Sequence, residues 1–245
     1  MGSKTTAKKF KTINGDIPLP VFFPDATRAV IRTLDSVDIK NTQTPGILVN
    51  TYHLYKDLHE DILKNIDGIR QFMSWEGGVI SDSGGFQVMS LAKRSENKGV
   101  IDDRGVTFKT EDGEEVFLTP EKSIQFQMLL KTDMVVVLDD FTEPKCTYEK
   151  AKETVERTLS WAKRSKEEFL KICNENNIEE KDRPYLLGVV QGGEYLDLRE
   201  YCTKELVKIG FDGLGYGGWP MKESGEFNLD VPRIIAENSP EDYLL

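Results

Sequence analysis

Residues 78–86 have the sequence Gly-Val-Ile-Ser-Asp-Ser-Gly-Gly-Phe, in which an apolar run ends at Asp82 and two glycines follow. An apolar run of this length predicts a strand that is buried on both faces, which is typical of a parallel sheet. Gly84 and Gly85 carry no Cβ, so the backbone after Asp82 can come close to a ligand. The stretch therefore predicts a buried strand that ends in a carboxylate within an open polar turn.

The same pattern recurs along the chain. Four further apolar runs end at polar residues or glycines, and these runs are Gly46–Asn50, Met134–Asp139, Tyr185–Gln191 and Asp212–Gly217. Between the runs, apolar residues with helical spacing predict helices over Glu60–Met73, from Thr119-Pro120 onward, over Tyr148 to about Cys173, and over Tyr195–Ile209. Alternating strands and helices predict an α/β fold in which a parallel sheet is closed or covered by helices.

One segment departs from this alternation. Between Lys93 and Leu118, two alternating runs flank Asp112-Gly113, a dipeptide that is typical of a tight turn between antiparallel strands. The sequence therefore predicts an antiparallel hairpin inserted after the third strand. Insertions of this kind lie on the rim of a fold and often shape a binding site.

Composition excludes several classes of protein. The 245 residues include 32 Lys and Arg against 42 Asp and Glu, a net charge of −10, and 38% are hydrophobic. This composition indicates a folded globular chain and argues against a general nucleic-acid coat, which needs clustered positive charge. No apolar stretch approaches the roughly 20 residues that a membrane helix requires, so no membrane partner is expected.

The cysteines do not indicate a metal site. Cys146, Cys173 and Cys202 are widely spaced, whereas zinc ligands usually come in close pairs. Their odd number and spacing favour reduced thiols in a cytoplasmic protein. The sequence thus predicts that this chain holds no metal.

The polar residues at the strand ends form the candidate site. Asp82, Asp139 and Gln191 each lie at the carboxyl end of a different predicted strand, and Gly217-Gly218 follows a fourth. In a β/α barrel these ends converge on one face, which carries the active site. Asp139 can accept hydrogen bonds from the two donors of a guanine-type base, while Gln191 and the backbone N–H of Gly218 donate to its carbonyl. Asp82 then remains for proton transfer.

Each of these residues also has a purely structural interpretation. Asp82 before Ser83 could cap a turn or a helix. Asp139-Asp140 could be the solvated end of a strand, and Gly217-Gly218 a tight turn. Only their repeated placement at strand ends favours a common site.

The motifs around these residues identify a family. The sequence resembles the tRNA-guanine transglycosylases, also called queuine tRNA-ribosyltransferases, along nearly its whole length. The matching stretches are Asn50-Thr-Tyr-His-Leu54, Phe72-Met-Ser-Trp75, Ser81-Asp-Ser-Gly-Gly-Phe-Gln-Val88, Ser90-Leu-Ala-Lys93, Leu118-Thr-Pro-Glu-Lys-Ser123, Val189-Val-Gln-Gly-Gly193, Asp197-Leu-Arg-Glu200 and Gly210-Phe-Asp-Gly213. The Asp-Ser-Gly-Gly-Phe-Gln motif is the most specific of these.

The resemblance implies a fold, a reaction and roles for residues. It implies a TIM-type β/α barrel that exchanges guanine for a 7-deazaguanine base in RNA through a covalent ribosyl intermediate, with the target base flipped out of its stack. By motif, Asp82 corresponds to the general acid/base and Asp139 and Gln191 to the base-recognising pair. The substrate-binding positions also include Phe86 and Leu245 as stacking residues, Gly218 as a backbone donor and Trp219 beside the base substituent.

Several positions depart from the family pattern. Phe86 stands where bacterial relatives usually have Tyr, and Asp140-Phe141 replaces the usual Glu-Cys. Gly217-Gly-Trp-Pro220 replaces a Gly-Gly-Leu-Ala type of loop, so the identity of the base substituent is open.

The resemblance also implies that residues 1–245 form a single catalytic domain of about three quarters of a barrel. The nucleophilic Asp and the zinc-binding part would lie beyond Leu245, so no cofactor is expected in this chain. We therefore expect a C-terminal segment or a second chain to complete the barrel, with tRNA and a free 7-deazaguanine base as partners, and a homodimer is compatible with the sequence. A DNA-directed relative and a non-catalytic deazaguanine-binding subunit remain the alternatives.

Overall fold

A computed structural model of the chain describes residues 8–58, 60–93, 99–110, 113–222 and 224–245. Its helices and strands in chain order are β1 (Lys9–Thr12), β2 (Gly15–Pro18), α1 (Ser36–Asn41), β3 (Gly46–Asn50), α2 (Thr51–Asp57), α3 (Glu60–Asn65), α4 (Ile69–Met73), β4 (Gly78–Asp82), α5 (Gly85–Lys93), β5 (Val100–Asp102), β6 (Gly105–Lys109), β7 (Glu115–Leu118), α6 (Pro120–Leu130), β8 (Met134–Val136), α7 (Tyr148–Glu175), β9 (Tyr185–Val190), α8 (Leu196–Ile209), β10 (Gly213–Tyr216) and α9 (Asp230–Glu237).

A parallel sheet forms the centre of the fold. Five strands lie in the order β3-β4-β8-β9-β10, and every neighbouring pair is parallel. Single parallel bridges extend both edges, between Asp25 and Leu48 on one side and between Gly213 and Leu244 on the other. The strands thus follow one another in chain order, and the predicted α/β fold with a parallel sheet is confirmed.

The register of the sheet aligns the carboxyl ends of its strands. Asn50, the last residue of β3, lies directly opposite Asp82, the last residue of β4. Tyr216, the last residue of β10, lies opposite Val190, the last residue of β9. The side chains that follow these strands therefore start from one edge of the sheet.

The predicted antiparallel insertion is present, but it is larger than a hairpin. Strands β5, β6 and β7 form a separate three-stranded antiparallel sheet. It follows β4, which is the second strand of the central sheet. The predicted position, after the third strand, is correct only if the segment bridged at Asp25 is counted as a strand. The predicted turn residues Glu111 and Asp112 lie outside the described residues, and Gly113 after them has a φ of 82°.

A second antiparallel hairpin, which the sequence analysis missed, packs beneath the sheet. Strands β1 and β2 pair with each other, and the turn between them contains Asn14-Gly15, a strong hairpin signal. Phe10 and Ile17 from this hairpin pack with Met134 and Leu244 in one hydrophobic cluster. The hairpin therefore covers the amino ends of the strands, opposite the candidate site.

Two predicted elements differ from the observed ones. The helix expected over Glu60–Met73 is divided into α3 and α4, because Gly68 adopts a φ of 84°, which a helix cannot include. The strand expected over Met134–Asp139 ends at Val136, so Asp139 belongs to the loop that follows β8.

Helices cover the outer side of the sheet. The largest cluster of buried residues joins β8, β9 and β10 to helices α7, α8 and α9, with Val135, Val155 and Leu206 among its members. A second cluster packs β3 and β4 against α1 to α4 and α6. Helix α6 begins as predicted, with Thr119 accepting a hydrogen bond from the backbone N–H of Lys122 and Pro120 in the first turn. In the described ranges, no helix combines the length and the apolar character needed to cross a membrane.

Candidate active site

The residues singled out at the strand ends lie along one edge of the sheet. Asp82 ends β4, Asp139 lies three residues after β8, and Gln191 directly follows β9. Gly217 and Gly218 follow β10. Because the sheet is parallel and its strands are neighbours in this order, the fold brings these four positions side by side.

Three donors hold the carboxylate of Asp82. Its Oδ1 accepts hydrogen bonds from the backbone N–H of Thr51, at 3.1 Å, and of Gly84, at 2.9 Å. Its Oδ2 accepts one from Nδ2 of Asn50, at 2.7 Å. Asp82 thus does cap the turn that follows it, through the bond from Gly84. Its other two hydrogen bonds come from Asn50 and Thr51, at the end of the neighbouring strand β3.

Asp82 is nevertheless poorly solvated. Desolvation by burial raises its pKa to about 6, the three hydrogen bonds oppose the rise, and the charge of Asp25 adds to it. Asp25, on the bridge segment beside β3, is an acid that the sequence analysis did not consider. A carboxyl group with this pKa can both donate and accept a proton near neutral pH.

Asp139 and Gln191 form a hydrogen-bonded pair. Nε2 of Gln191 donates to Oδ2 of Asp139 at 2.5 Å, while Oε1 of Gln191 accepts from the backbone N–H of Thr142 at 3.1 Å. Burial raises the pKa of Asp139 to about 6, the bond from Gln191 opposes this, and the charges of Asp140 and Asp82 add to it. Asp140 is buried, and Asp139 is half-buried and paired with Gln191, so this segment is not a fully solvated strand end.

The loop after β10 needs its two glycines. A Cβ on Gly217 would lie 2.5 Å from Nε2 of Gln191, and Gly218 has a φ of 90°. The next residue, Trp219, exposes its side chain, and its carbonyl accepts a hydrogen bond from the hydroxyl of Tyr216. The tight packing of this loop against Gln191 places the Gly218 backbone beside the Asp139–Gln191 pair.

The two predicted stacking residues are exposed. Phe86, at the start of α5, is 55% exposed and contacts the ring of Phe141 edge-on, with 5.3 Å between the ring centroids. Leu245 is exposed, while Leu244 before it pairs with Gly213 at the edge of the sheet.

Two further acids that the sequence places beside strands, Asp140 and Asp212, are already paired. Asp140 is buried, and its carboxylate accepts a hydrogen bond from Nη1 of Arg157 on α7. Asp212 precedes β10 and accepts two hydrogen bonds from Arg183, at 2.6 and 2.8 Å, at the amino ends of the strands. Both carboxylates are thus held by arginines, and Asp212 lies at the amino ends of the strands.

The cysteines do not fit a zinc site. Cys173 and Cys202 are buried among apolar side chains of the largest core cluster, on α7 and α8. Burial raises the pKa of the Cys202 thiol to about 12, which disfavours the thiolate that zinc binds. Among the residues that the structure describes, no group of three or more His, Cys, Asp and Glu side chains is arranged to hold a metal.

Two cavities lie elsewhere on the surface. One, of about 660 Å³, lies between the turn at Asp103 and the face of α7 that carries Glu153 and Arg157. The other, of about 300 Å³, lies between α2 and the antiparallel insertion. Neither cavity is lined by Asp82, Asp139 or Gln191. The candidate site is therefore identified by the hydrogen bonds and raised pKa values of its residues, and not by a large cavity.

Two residues of the site were not among the predicted ones. Asn50 donates to Asp82 and also caps α2, since its Oδ1 accepts from the backbone N–H of His53. Asn50 is a polar residue at the end of a predicted strand, as Asp82 is, so the same sequence pattern could have identified it. Arg199, on α8, donates to the backbone on both sides of Gln191, and no local pattern indicated this.

Comparisons with a family model and with individual proteins point to the same family. The family model described as queuine tRNA-ribosyltransferase matches residues 3–244. The chain is 39% identical over 95% of its length to a queuine tRNA-ribosyltransferase from Thermotoga neapolitana, and 35% identical over 98% of its length to one from Natranaerobius thermophilus. A protein of the same name from Staphylococcus epidermidis is 36% identical over 94% of this chain. The chain spans 59%, 62% and 58% of the lengths of these three relatives.

Proposed function

The chain belongs to the queuine tRNA-ribosyltransferase family, and we propose that it carries the base-recognition and acid–base residues of an enzyme that exchanges guanine in tRNA for a 7-deazaguanine base. The observation that carries the proposal is the pair formed by Asp139 and Gln191, which lies on the same strand edge as Asp82. Burial raises the pKa of both carboxyl groups to about 6, and raised carboxyl pKa values of this kind are typical of functional sites.

Asp139 and Gln191 recognise the base in this proposal. The ionised carboxylate of Asp139 accepts hydrogen bonds from the ring N–H and the exocyclic amine that guanine and 7-deazaguanines share. Gln191 gives one amide proton to Asp139 and has a second proton for the base carbonyl. The backbone N–H of Gly218 is the second donor to that carbonyl, and Phe86 and Leu245 cover the faces of the ring.

Asp82 transfers protons in this proposal. When a nucleophilic carboxylate attacks C1′ of the ribose, the C1′–N9 bond breaks and the leaving guanine takes a proton from Asp82. In the second half-reaction, N9 of the incoming base attacks C1′ and releases the enzyme carboxylate, while Asp82 takes the N9 proton. Two displacements retain the configuration at C1′.

The attacking carboxylate is not assigned to the described strand ends. Asp140 is held by Arg157, and Asp212 lies at the opposite end of the strands. We propose that the nucleophile comes from beyond Leu245 or from a second chain, as the resemblance implies. In this proposal, the same segment adds further parallel strands beside β10, beginning at the bridge between Gly213 and Leu244. These strands would close the β/α barrel. A tRNA substrate supports the proposal that the protein acts in the cytoplasm.

Base exchange tests the proposal directly. The protein is incubated with labelled guanine and either tRNA or a DNA duplex, and the label in nucleic acid is counted. We expect incorporation into tRNA by the protein with its complete C-terminal part, and loss of incorporation by several orders of magnitude in Asp82→Asn. Incorporation into DNA instead would favour a DNA-directed enzyme.

Equilibrium binding separates recognition from catalysis. Calorimetry with guanine, 7-deazaguanine and adenine should show binding of the first two by the chain and none of adenine, because adenine has no N–H at ring position 1 for Asp139. Selective binding without exchange would favour a non-catalytic base-binding subunit. If no base binds, the site is not a guanine site.

A further inference from the structure

A buried guanidinium lies beneath the candidate site. The side chain of Arg199, on α8, is 0% exposed. Among the described residues, no carboxylate forms an ion pair with it, although the charge of Asp139 acts on it and favours the charged form. An isolated buried cation is costly, so one that the fold retains must be compensated by hydrogen bonds.

The hydrogen bonds of Arg199 go to the backbone around the site. Nη1 donates to the carbonyls of Val190, at 2.5 Å, and Gly217, at 2.7 Å, and Nε donates to the carbonyl of Gly193, at 2.9 Å. Val190 directly precedes Gln191, and Gly217 directly precedes Gly218. One planar group therefore joins the two loops that carry the proposed donors to the base carbonyl.

The remaining nitrogen of Arg199 lies beside those donors. A Cβ built on Gly218 would be 3.1 Å from Nη2 of Arg199 and 3.3 Å from Oε1 of Gln191. Nη2 is buried and has no hydrogen-bond partner among the described residues. Nη2 of Arg199 and Oε1 of Gln191 therefore both border Gly218.

Hydrogen bonds on both sides determine which way the Gln191 amide faces. Oε1 is held by the N–H of Thr142, while Nε2 donates to Asp139. A rotated amide would turn its oxygen toward the Asp139 carboxylate and its N–H groups toward the N–H of Thr142, and both contacts would be repulsive. The ring of Tyr216 lies 5.0 Å from the guanidinium carbon and covers it.

We propose that Arg199 is a positioning residue, which fixes the Gln191 amide and the Gly217–Gly218 backbone so that both donate to the carbonyl of the bound base. This inference rests on the proposed function, because it concerns recognition of the same base. Arg199 does not touch the base in this arrangement. By holding the two donors in place, Arg199 favours bases that have a carbonyl at the position that Gln191 and Gly218 face.

Purine analogues separate this role from general stability. 2-Aminopurine lacks the carbonyl of guanine and with it the N–H at ring position 1, whereas hypoxanthine lacks only the exocyclic amine, which Asp139 recognises. In the unmodified chain, both should bind more weakly than guanine. In Arg199→Lys, which keeps a charge but cannot span three carbonyls, guanine should bind at least 10-fold more weakly. The preference for guanine over 2-aminopurine should fall, and the preference over hypoxanthine should stay within 2-fold.

A matched control is available at the opposite end of the strands. Arg183 also donates to a backbone carbonyl and to Asp212, so Arg183→Lys makes the same change away from the site. We expect it to leave both preferences unchanged. If Arg199→Lys loses cooperative unfolding, Tyr216→Leu removes the covering ring and keeps the guanidinium, and should shift the 2-aminopurine preference in the same direction.

Two results would overturn the positioning role. One is that neither Arg199→Lys nor Tyr216→Leu changes the preference for guanine over 2-aminopurine. The other is that the preferences over 2-aminopurine and over hypoxanthine fall equally. Failure of the unmodified chain to bind guanine would overturn the proposed function and this inference with it.

Discussion

The side-chain amide of Gln191 donates a hydrogen bond to the carboxylate of Asp139 across the ends of two neighbouring strands, with 2.5 Å between Nε2 and Oδ2. The two residues are 52 positions apart in the chain. Their contact joins an acceptor and a donor group into one recognition surface, on which a ring with adjacent donors and a carbonyl would fit.

Asp139→Asn should weaken base binding. The amide replaces an anionic acceptor with a neutral one and presents N–H groups to a donor on the base. The expected loss is about 1.5–3 kcal/mol, the usual range for a hydrogen bond to a charged group. Calorimetry with guanine measures it, with Asp197→Asn, on the surface of α8, as the control. Equal affinities for the unmodified chain and Asp139→Asn would remove Asp139 from the binding site.

Base binding should depend on pH. Burial raises the pKa of Asp139 to about 6, and only the ionised form accepts both hydrogen bonds from the base. The affinity for guanine should therefore be constant above about pH 7 and fall about 10-fold for each pH unit below about 6. Titrations between pH 5 and 8 test this, and Asp139→Asn should show no such fall. A flat profile in the unmodified chain would contradict the assignment.

The same group should make the protein less stable at neutral pH. Because the folded pKa of Asp139 is about 6 and its ordinary value is 3.8, the folded state binds this proton more tightly than the unfolded state. The contribution of Asp139 to the free energy of unfolding is thus full below about pH 4, falls between about pH 4 and 6, and is lost above that range.

Asp139→Asn should consequently unfold at higher denaturant concentration than the unmodified chain at pH 7.5. The gain should be on the order of 3 kcal/mol at most, from a shift of about two pKa units. It should shrink toward zero near pH 4. A gain that is the same at pH 4 and pH 7.5 would mean that the carboxylate is not desolvated.

Asn50→Asp should shift the pH dependence of exchange. The new carboxylate can still cap α2, but it faces Asp82 where an amide N–H now donates. A like charge at this distance raises the pKa of Asp82 further, by about one unit or more. The inflection of the exchange rate assigned to Asp82 should move to higher pH, and Asn14→Asp, in the distant hairpin turn, should leave it in place. Identical profiles would show that Asp82 does not control the rate.

The buried pair of Arg157 and Asp140 should be important for stability. Their side chains are 16% and 4% exposed, and removal of one partner leaves the other charge buried. Arg157→Met should lower the free energy of unfolding by about 3–5 kcal/mol. Lys208→Met, which breaks an exposed pair with Glu205, should change it by less than about 1 kcal/mol. Denaturant unfolding of both variants decides this, and similar small losses would mean that the Arg157–Asp140 pair is solvated.

Local sequence patterns were sufficient for much of the fold. The strands Gly46–Asn50 and Gly78–Asp82 have the predicted bounds, because each apolar run is stopped by a polar residue. Helix α8 ends before Gly210 as predicted, since this residue takes a φ of 84°. The prediction failed at Gly68, where a positive φ divides a helical pattern, and at Asn14-Gly15, where a short hairpin was overlooked.

The sequence by itself indicated that Asp82, Asp139 and Gln191 lie at or shortly after the carboxyl ends of strands, and a parallel sheet necessarily aligns those ends. Only the tertiary structure decided how the side chains are paired. Asn50 holds Asp82 because β3 and β4 are in register, Arg157 reaches Asp140 because α7 packs over β8, and Arg199 reaches the loops after β9 and β10 from α8. These contacts join residues on different elements, and their geometry depends on how helices pack on the sheet, which no local spacing of residue types specifies.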